Sequence, residues 1–348
     1  MDIKKIKLVA FLVGSILLIT FTFYFYQIIY TPNILVDRDD RLFLIKSGAT
    51  YQSVLSDLGK ASFVNDMVSF AFLAKLNGLD KELKPGRYIL RRNMTNLQAI
   101  KVLKSGKQEP VKLTFSYVRL TSELAEKLTK NIGVTSEEFD EALEKFVENN
   151  KEGFNTENIR CMFIPNTYEV YYNITPDGLI ERLNDEYHRF WNADRTAKAK
   201  RMGLTPIEVS ILASIVQAET VKEDEAPMIA GLYLNRLKKN IALQADPTLV
   251  YASGDFSLKR VLNTHKEIDS PYNTYKKPGL PPGPINVPQI VNIDAVLSAV
   301  DHKYYYMCAK EDFSGYHNFA KNLDEHNVNA RKYQKALTAE MKKAAEKQ

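Results

Sequence analysis

Residues 204–220, LTPIEVSILASIVQAET, carry the strongest local folding signal in the sequence. Thr205 and Glu208 have the spacing of a capping box, and Pro206 fits the first helical position, where its missing N–H is not needed. The apolar residues that follow recur at three- and four-residue intervals, so the pattern predicts an amphipathic helix whose apolar stripe points into the protein. The rest of the predicted fold is arranged around this helix.

A glutamate continues the apolar stripe of this helix. At 100° per residue, Glu219 lies about 20° from Leu212 and one turn beyond Ile215. One interpretation is a helix-end carboxylate that pairs with Lys or Arg or reaches solvent. The other is a partly desolvated acid with a raised pKa, which a general acid working near neutral pH requires. The residues alone leave both interpretations open.

The chain after Glu219 predicts a second helix and a turn. The second helix is predicted over PMIAGLYLNRLKKN at 227–240, and ALQADPTLVYA at 242–252 then predicts a turn at Asp246 and Pro247. Gln244 and Asp246 either hydrogen-bond a polar ligand or only fix that turn.

A proline-rich segment follows at 270–288, SPYNTYKKPGLPPGPINVP, with six of the fourteen prolines. Because proline has no amide N–H to donate, the segment is neither a helix nor a central strand. Predicted elements flank it on both sides, so we expect an ordered loop packed on the domain. Tyr272, Asn273 and Thr274 offer a flat ring and hydrogen-bonding groups there, a combination that suits a sugar ligand.

Strand and helix patterns along the remaining chain predict an α+β fold with two units after residue 36. Residues 37–108 form a small α+β unit that resembles a LysM module and either binds a ligand or is only a spacer. Residues 109–348 form the larger α+β domain, the catalytic domain if the protein is an enzyme. Within it, amphipathic helices are predicted over 121–149, a polar helix over 176–202 and a hairpin over 304–320.

Residues 1–36 are predicted to be a cytoplasmic tail and a transmembrane anchor. Leu8–Tyr30 is an uncharged run about 34 Å long at roughly 1.5 Å per residue, enough to cross a bilayer. Tyrosines near its end suit an interfacial belt, and a small-residue cleavage site is not evident, so we expect an uncleaved anchor. Three lysines precede the run, and the positive-inside rule therefore places residues 37–348 on the extracytoplasmic, periplasm-facing side of a single-pass cell-membrane protein.

Composition and motifs exclude several function classes. The 47 basic and 42 acidic side chains among 348 residues are nearly balanced, so we predict no nucleic-acid partner. Cys161 and Cys308 have no ligand at metal-binding spacing and either pair or stay buried, while His317 and His326 are too far apart for a helical metal pair. We therefore expect no metal and no cofactor. Walker, dinucleotide-binding and G-x-S-x-G motifs are also missing from the sequence.

The exported chain is similar to the YceG-like family of endolytic murein transglycosylases. Five stretches occur in the family's order and spacing: ILASIVQAET, IAGLYLNRL, LQADPTLVYA, SPYNTYKKPGLPPGPINVP and GYHNFAKNLDEHN. LKPGRYIL and FIPNTY also resemble the family's LKPGTY and FPDTY. In this chain Gln217 occupies a position that is commonly acidic in the family, and Tyr117, Val118 and Arg119 stand where an E-G-x-T turn is frequent.

The resemblance implies cleavage of peptidoglycan glycan strands between N-acetylmuramic acid and N-acetylglucosamine, together with coupling to cell-wall synthases. It places Glu219 on the catalytic glutamate, which protonates the glycosidic oxygen and then removes the proton of the muramic acid C6 hydroxyl. That hydroxyl attacks C1 and leaves a 1,6-anhydro end, so one carboxyl group suffices. Five residues are expected to position the sugar: Gln244, Asp246, Tyr272, Asn273 and Thr274.

Two alternatives stay open at this point. The first is a hydrolase in which Glu219 is the acid and Asp246 the base, which requires their carboxyl groups to flank the bond with room for water. The second is a membrane-anchored glycan-binding scaffold that does no chemistry.

Overall fold

The computed structural model describes residues 3–258 and 260–345. In these residues it has thirteen α-helices, and the mixed α+β class is confirmed. The helices are α1 Ile3–Tyr30, α2 Tyr51–Lys60, α3 Met67–Leu76, α4 Asn96–Ser105, α5 Thr121–Thr129, α6 Ser136–Asn149, α7 Pro176–Phe190, α8 Ala193–Arg201, α9 Pro206–Glu219, α10 Ala226–Lys238, α11 Asp246–Ser253, α12 Ile290–Leu297 and α13 Leu323–Ala345.

The strands are short and pair two by two. They are β1 Pro32–Ile34, β2 Arg41–Ile45, β3 Gly86–Leu90, β4 Met94–Thr95, β5 Val111–Thr114, β6 Thr167–Val170, β7 Tyr306–Ala309 and β8 His317–Ala320. β1 pairs with β4, β2 with β3, β5 with β6 and β7 with β8. The predicted hairpin over 304–320 is confirmed as the antiparallel pair β7–β8.

The described chain divides into two compact units. The first consists of residues 3–113 with the short segments Lys130–Thr135 and Tyr168–Thr175. The second consists of Thr114–Thr129, Ser136–Thr167 and the described residues from Pro176 onward. The boundaries predicted after residues 36 and 108 stay predictions.

The first unit holds the elements that precede β5. β2 and β3 pair antiparallel along their whole length, from Arg41 opposite Leu90 to Ile45 opposite Gly86. Side-chain caps begin the helices: the Thr50 hydroxyl caps α2 and Thr95 forms a capping box with Gln98 at α4. A core of fully buried large side chains lies between them, including Leu58, Phe70, Leu79, Tyr88 and Leu90.

α1 is 28 residues long and apolar enough to cross a membrane. Its side chains are almost all exposed in the structure. Near its C-terminal end, however, Ile28 is buried within the core of the first unit.

α9 is the central helix of the second unit. It begins as predicted, with Thr205 and Glu208 in a capping box and Pro206 at the first position. Every residue of 209–216 is buried, because α9 is packed between α10, α11 and α12. The prediction of a single inward stripe is therefore wrong for this part of the helix, since a helix enclosed on all sides has no solvent face.

Two other predictions about local structure are wrong. The polar helix predicted over 176–202 is divided after Phe190, because the Asn192 side chain accepts a hydrogen bond from Arg195 N at 3.0 Å and caps a new helix, α8. The turn predicted at Asp246 and Pro247 is instead the start of α11. Proline is accommodated there because the first turn of a helix has no use for its N–H.

Candidate active site

Glu219 is the last residue of α9, at the point where the buried helix reaches a cavity wall. The residue is only partly exposed, and one carboxylate oxygen, Oε1, accepts a hydrogen bond from the Tyr233 hydroxyl at 2.6 Å. Tyr233 comes from the middle of α10 and is itself buried. The sequence left open a pairing of Glu219 with Lys or Arg. In the structure its hydrogen-bond partner is instead a neutral tyrosine.

The surroundings of Glu219 favour its protonated form. The pKa of Glu219 is raised to about 7, mainly by burial and in part by the negative charge of Asp246. The hydrogen bond from Tyr233 and the positive charge of Arg236 lower it but do not cancel the effect of burial. A carboxyl group with this pKa is protonated in a large fraction of molecules near neutral pH, as a general acid must be.

Asp246 is the second carboxylate of the site. It is the first residue of α11, and it accepts a hydrogen bond from the Tyr275 hydroxyl at 2.5 Å. Burial and this bond to Asp246 raise the pKa of Tyr275, so the phenol stays a proton donor to the carboxylate. Each of the two carboxyl groups of the site is therefore held by a tyrosine.

Glu219 and Asp246 line two cavities. The larger has a volume of about 560 Å³ and the smaller about 240 Å³. Aromatic and arginine side chains stand out on the wall of the larger cavity: Tyr117, Arg119, Tyr251, Phe256 and Arg260. Flat apolar faces beside hydrogen-bond donors suit a polar ligand with ring-shaped units.

Tyr117 and Arg119 were not predicted as site residues. Arg119 donates to the Tyr117 hydroxyl at 2.9 Å, and its guanidinium lies over the Phe256 ring, 4.4 Å from the centroid. The signal that pointed to them was in the sequence, because they stand where the resemblance led us to expect a different turn. The residues that depart from the family pattern, Tyr117 and Arg119, thus form part of the wall of the larger cavity.

Arg236 and Gln244 lie on the wall of the smaller cavity. The buried Arg236 guanidinium donates to the carbonyls of Tyr305, Ala242 and Leu243 and to Gln244 Oε1 at 3.3 Å. Burial lowers the pKa of Arg236. Gln244 adopts the left-handed backbone conformation, with φ of 52°, and its N–H donates to the Thr274 carbonyl. Gln244 thus lines the smaller cavity together with Glu219 and Asp246, and its contact with a sugar stays a prediction.

The three residues predicted from the proline-rich loop line neither cavity. Asn273 is fully buried, and its amide donates to the carbonyls of Lys266 and Ile268. The Thr274 hydroxyl accepts from Ala245 N at 3.1 Å and bonds with the Thr248 hydroxyl. Thr274 thus holds the loop against the start of α11, and Asn273 holds it to the segment that precedes it. A contact of either side chain with a ligand stays a prediction.

Tyr272 supports the wall of the larger cavity by packing against Tyr251, which lines it. Its ring packs against Tyr251, with centroids 4.6 Å apart, and burial raises the pKa of its phenol to about 12. Arg160 strengthens the same wall, donating to the Tyr251 hydroxyl at 2.6 Å, to the Pro284 carbonyl at 2.6 Å and to the Arg119 carbonyl. Arg160 was missed by the sequence analysis, because nothing local distinguishes a buried arginine from an exposed one.

Gln217 joins α9 to the start of α12. Its Oε1 accepts from Gln289 N at 2.6 Å and from Asn292 at 2.9 Å, and its Nε2 donates to Asn286 Oδ1 at 3.1 Å. A carboxylate could accept the first two bonds but not donate the third. The glutamine is therefore matched to its neighbours in this chain.

His317 lies on the wall of the smaller cavity and pairs with the buried carboxylate of Glu225. Its backbone N–H and Nδ1 contact the two oxygens of Glu225 at 2.7 and 2.8 Å. His326 lies on α13.

Within residues 3–258 and 260–345, no group of three or more His, Cys, Asp or Glu side chains is placed to hold a metal ion. Cys161 and Cys308 are both free thiols, and burial raises the pKa of each.

Comparisons with known proteins agree with this architecture. A protein named endolytic murein transglycosylase from Streptococcus pneumoniae serotype 2 is 26% identical over an alignment that covers 93% of this chain and 64% of that protein. Another protein of that name, from Bacillus subtilis, is 43% identical over 35% of this chain and 33% of its own length. The chain thus spans slightly less than two thirds of the pneumococcal relative it matches.

The fold has a solved counterpart in a crystal structure of a YceG-like protein from Listeria monocytogenes. The TM-score is 0.54 at 24% identity, and the match covers 83% of this chain and 98% of that one. The model of the YceG-like family matches residues 43–332, far more than half of the chain. The protein therefore belongs to the YceG-like family.

Proposed function

We propose that the protein is an endolytic peptidoglycan lytic transglycosylase with Glu219 as its catalytic residue. The observation that carries the proposal is one half-buried carboxyl group, with a pKa of about 7, at the junction of two cavities. Relatives aligned over nearly the whole chain are named endolytic murein transglycosylases, which supplies the substrate class. The substrate is the glycan strand of peptidoglycan.

In the first step, protonated Glu219 donates its proton to the oxygen between N-acetylmuramic acid and N-acetylglucosamine. Bond breaking then leaves positive charge on C1 of the muramic acid ring. Asp246 is a carboxylate on the same cavity walls, and it stabilises that charge without forming a bond. Tyr275 holds the Asp246 carboxylate in place for this role.

In the second step, the Glu219 carboxylate accepts the proton of the muramic acid C6 hydroxyl, whose oxygen bonds to C1. The product is a 1,6-anhydro end, and Glu219 returns to its protonated form without a water molecule being consumed. Tyr233 is suited to this cycle because its hydroxyl donates to the carboxylate that forms after the first step. Sugar rings are positioned by the aromatic wall of the larger cavity and by Gln244 in the smaller one.

A two-carboxylate muramidase is the second candidate, and one observation favours it. Asp246 lines both cavities together with Glu219 and is close enough for its charge to raise the pKa of Glu219. In that mechanism Asp246 activates a water molecule, which attacks C1 and gives a reducing end.

Mass spectrometry of the products tests these functions against each other. Purified glycan strands are incubated with the full-length protein in detergent, in water enriched in ¹⁸O. Lytic transglycosylation gives anhydro ends with no ¹⁸O, whereas hydrolysis gives reducing ends that contain ¹⁸O. Uncut strands that stay bound to the protein would instead support a glycan-binding scaffold.

We also propose that α1 anchors the protein in the cell membrane with its N-terminus in the cytoplasm and residues 37–348 outside. The length and apolar character of α1 and the three lysines before the uncharged run support this topology. Protease added from the extracytoplasmic side should digest the exported part. If the full-length protein left the membrane fraction in a high-salt wash, the anchor would be refuted.

The proposal for residues 37–108 is a LysM-like module that helps to hold glycan. The order β2, α2, α3, β3, with the two strands paired antiparallel, supports it. Glycan-strand binding by the full-length protein, compared with binding by a variant that lacks residues 37–108, tests this role.

Coupling to cell-wall synthases is proposed on the family resemblance. Crosslinking in intact cells tests it.

A further inference from the structure

α3 carries an exposed apolar face that the function proposed above does not use. Val68, Phe72 and Leu76 are 76%, 51% and 68% exposed. They are spaced four residues apart and therefore lie along one side of the helix, while the opposite side is buried in the core of the first unit. Single exposed apolar residues are ordinary on protein surfaces, but three on one helix face indicate a binding surface.

The apolar face contacts α1 through Phe72, its middle residue. The ring of Phe72 contacts the ring of Phe25 edge-to-face, with centroids 6.3 Å apart. Phe25 in turn packs against Phe21, one turn earlier in α1. Aromatic contacts thus run from the apolar part of α1 directly to the exposed face of α3.

A buried polar network fixes the position of α3 relative to the end of α1. Asn96 donates to the carbonyl of Ile28 at 2.9 Å, which satisfies one of the carbonyls that a helix leaves unpaired in its last turn. Asn96 Oδ1 accepts from Asn33 at 2.7 Å, and Asn33 exchanges hydrogen bonds with the backbone of Asp66 at 2.7 and 2.9 Å. Asp66 is the N-cap of α3, so the two helices are joined by a continuous set of hydrogen bonds.

The depth of Phe72 follows from the depth of Phe25. If the run Leu8–Tyr30 is centred in a hydrocarbon layer about 30 Å thick, Phe25 lies about 9 Å from the midplane and therefore about 6 Å inside the layer boundary. Phe72 touches Phe25 and so must lie near the same depth. Lys75, exposed beside Leu76, has a chain long enough to carry its ammonium group to the lipid headgroups.

We infer that α3 is a second membrane contact, with its Val68–Phe72–Leu76 face inserted into the outer boundary of the lipid bilayer beside α1. The inference rests on the proposed anchoring by α1 and is independent of the chemistry at Glu219. Lipid is the occupant that the structure supports, because the face is continuous with the helix that spans the membrane. Insertion of this face also holds the first unit at a fixed distance from the membrane, because α3 is part of the core of that unit.

Tryptophan fluorescence in vesicles tests the inference. Val68→Trp and Leu76→Trp are made in the full-length protein, which is reconstituted in vesicles of equal parts phosphatidylethanolamine and phosphatidylglycerol, with or without bromine on the acyl chains. Phe21→Trp reports on α1, and Leu42→Trp is the matched control, an exposed apolar position on β2 in the same unit. Trp191, the one native tryptophan, contributes equally to all variants and is subtracted with the wild-type signal.

Brominated lipid should quench Val68→Trp and Leu76→Trp nearly as strongly as Phe21→Trp and leave Leu42→Trp unchanged. Quenching of Phe21→Trp alone would overturn the inference while leaving the anchor intact. Blue-shifted but unquenched emission at positions 68 and 76 would also overturn it, because the face would then be covered by protein rather than lipid. Absence of quenching at Phe21→Trp would refute both the anchor and the inference. The proposed enzymatic activity would not be affected, because the glycan-cleavage assay tests it independently.

Discussion

Replacement of Tyr233 by phenylalanine should move the pH dependence of catalysis without removing the catalytic group. The Tyr233 hydroxyl donates to Glu219 Oε1 at 2.6 Å, and this bond lowers the pKa of Glu219. Phenylalanine keeps the ring that fills the core and removes only the donor. The carboxylate form of Glu219 therefore loses stabilisation, and its pKa rises above the present value of about 7.

The size of this change follows from the energy of the bond. A hydrogen bond to a charged group contributes about 1.5–3 kcal/mol. The hydroxyl also bonds to the protonated carboxyl group, so the difference between the two forms falls just below this range, at about 1.4 kcal/mol, or tenfold in the ionisation constant. Glu219 is active as an acid below its pKa and loses this activity as the pH rises through it. The alkaline limb of the pH–rate profile should therefore shift upward by about one pH unit.

Initial rates of glycan-strand cleavage between pH 5 and pH 10 would measure this shift. Tyr316→Phe is the matched control, because the Tyr316 hydroxyl donates to Asp224 and not to Glu219. Its profile should coincide with that of the wild type. A Tyr233→Phe variant that folds and has an unchanged alkaline limb, or one shifted downward, would refute the hydrogen-bonded acid described here.

Three further predictions concern stability, packing and metals. The pKa of Glu219 is raised in the folded state, so its contribution to stability is lost as the pH rises from about 4.5 to about 7. In urea unfolding, the wild type should therefore lose about 2.5 kcal/mol relative to Glu219→Gln between pH 5 and pH 8. An equal pH dependence of the two proteins would contradict the raised pKa. Arg160→Met leaves three acceptors without their donor, among them the buried Pro284 carbonyl, and should cost about 2 kcal/mol or more in the same assay. A cost within error of zero would show that Arg160 does not support the wall. Chelator should leave cleavage intact, and loss of activity that a divalent ion restores would reveal a metal site.

The parts of the fold that the sequence predicted correctly depend on local signals. The start of α9 is determined by Thr205, Pro206 and Glu208, which act within one turn of each other. The hairpin β7–β8 is likewise recognisable from a short pattern. The break before α8 was missed although its signal, an asparagine cap at Asn192, is local, because the polar composition on both sides gives one continuous helical pattern.

The candidate site was predictable only in part, because it is assembled by contacts between distant segments. Glu219 was identified from its place on the helix and from the family resemblance. Its partner Tyr233 comes from the next helix, and which tyrosine of the chain reaches it depends on how α9 and α10 pack. Asn273 shows the limit most clearly: its amide suits a sugar, yet the structure uses that amide to hold two carbonyls of its own loop.

The central claim is that Glu219 is the acid of glycan cleavage, and the most direct test compares Glu219→Gln with the wild type on purified glycan strands. Glutamine has nearly the same volume and still accepts a bond from Tyr233, but it has no proton to transfer. Cleavage should fall at least ~100-fold, the low end for losing general acid catalysis, while circular dichroism and unfolding show an intact fold. A folded Glu219→Gln protein that cuts glycan strands at close to the wild-type rate would contradict the assignment.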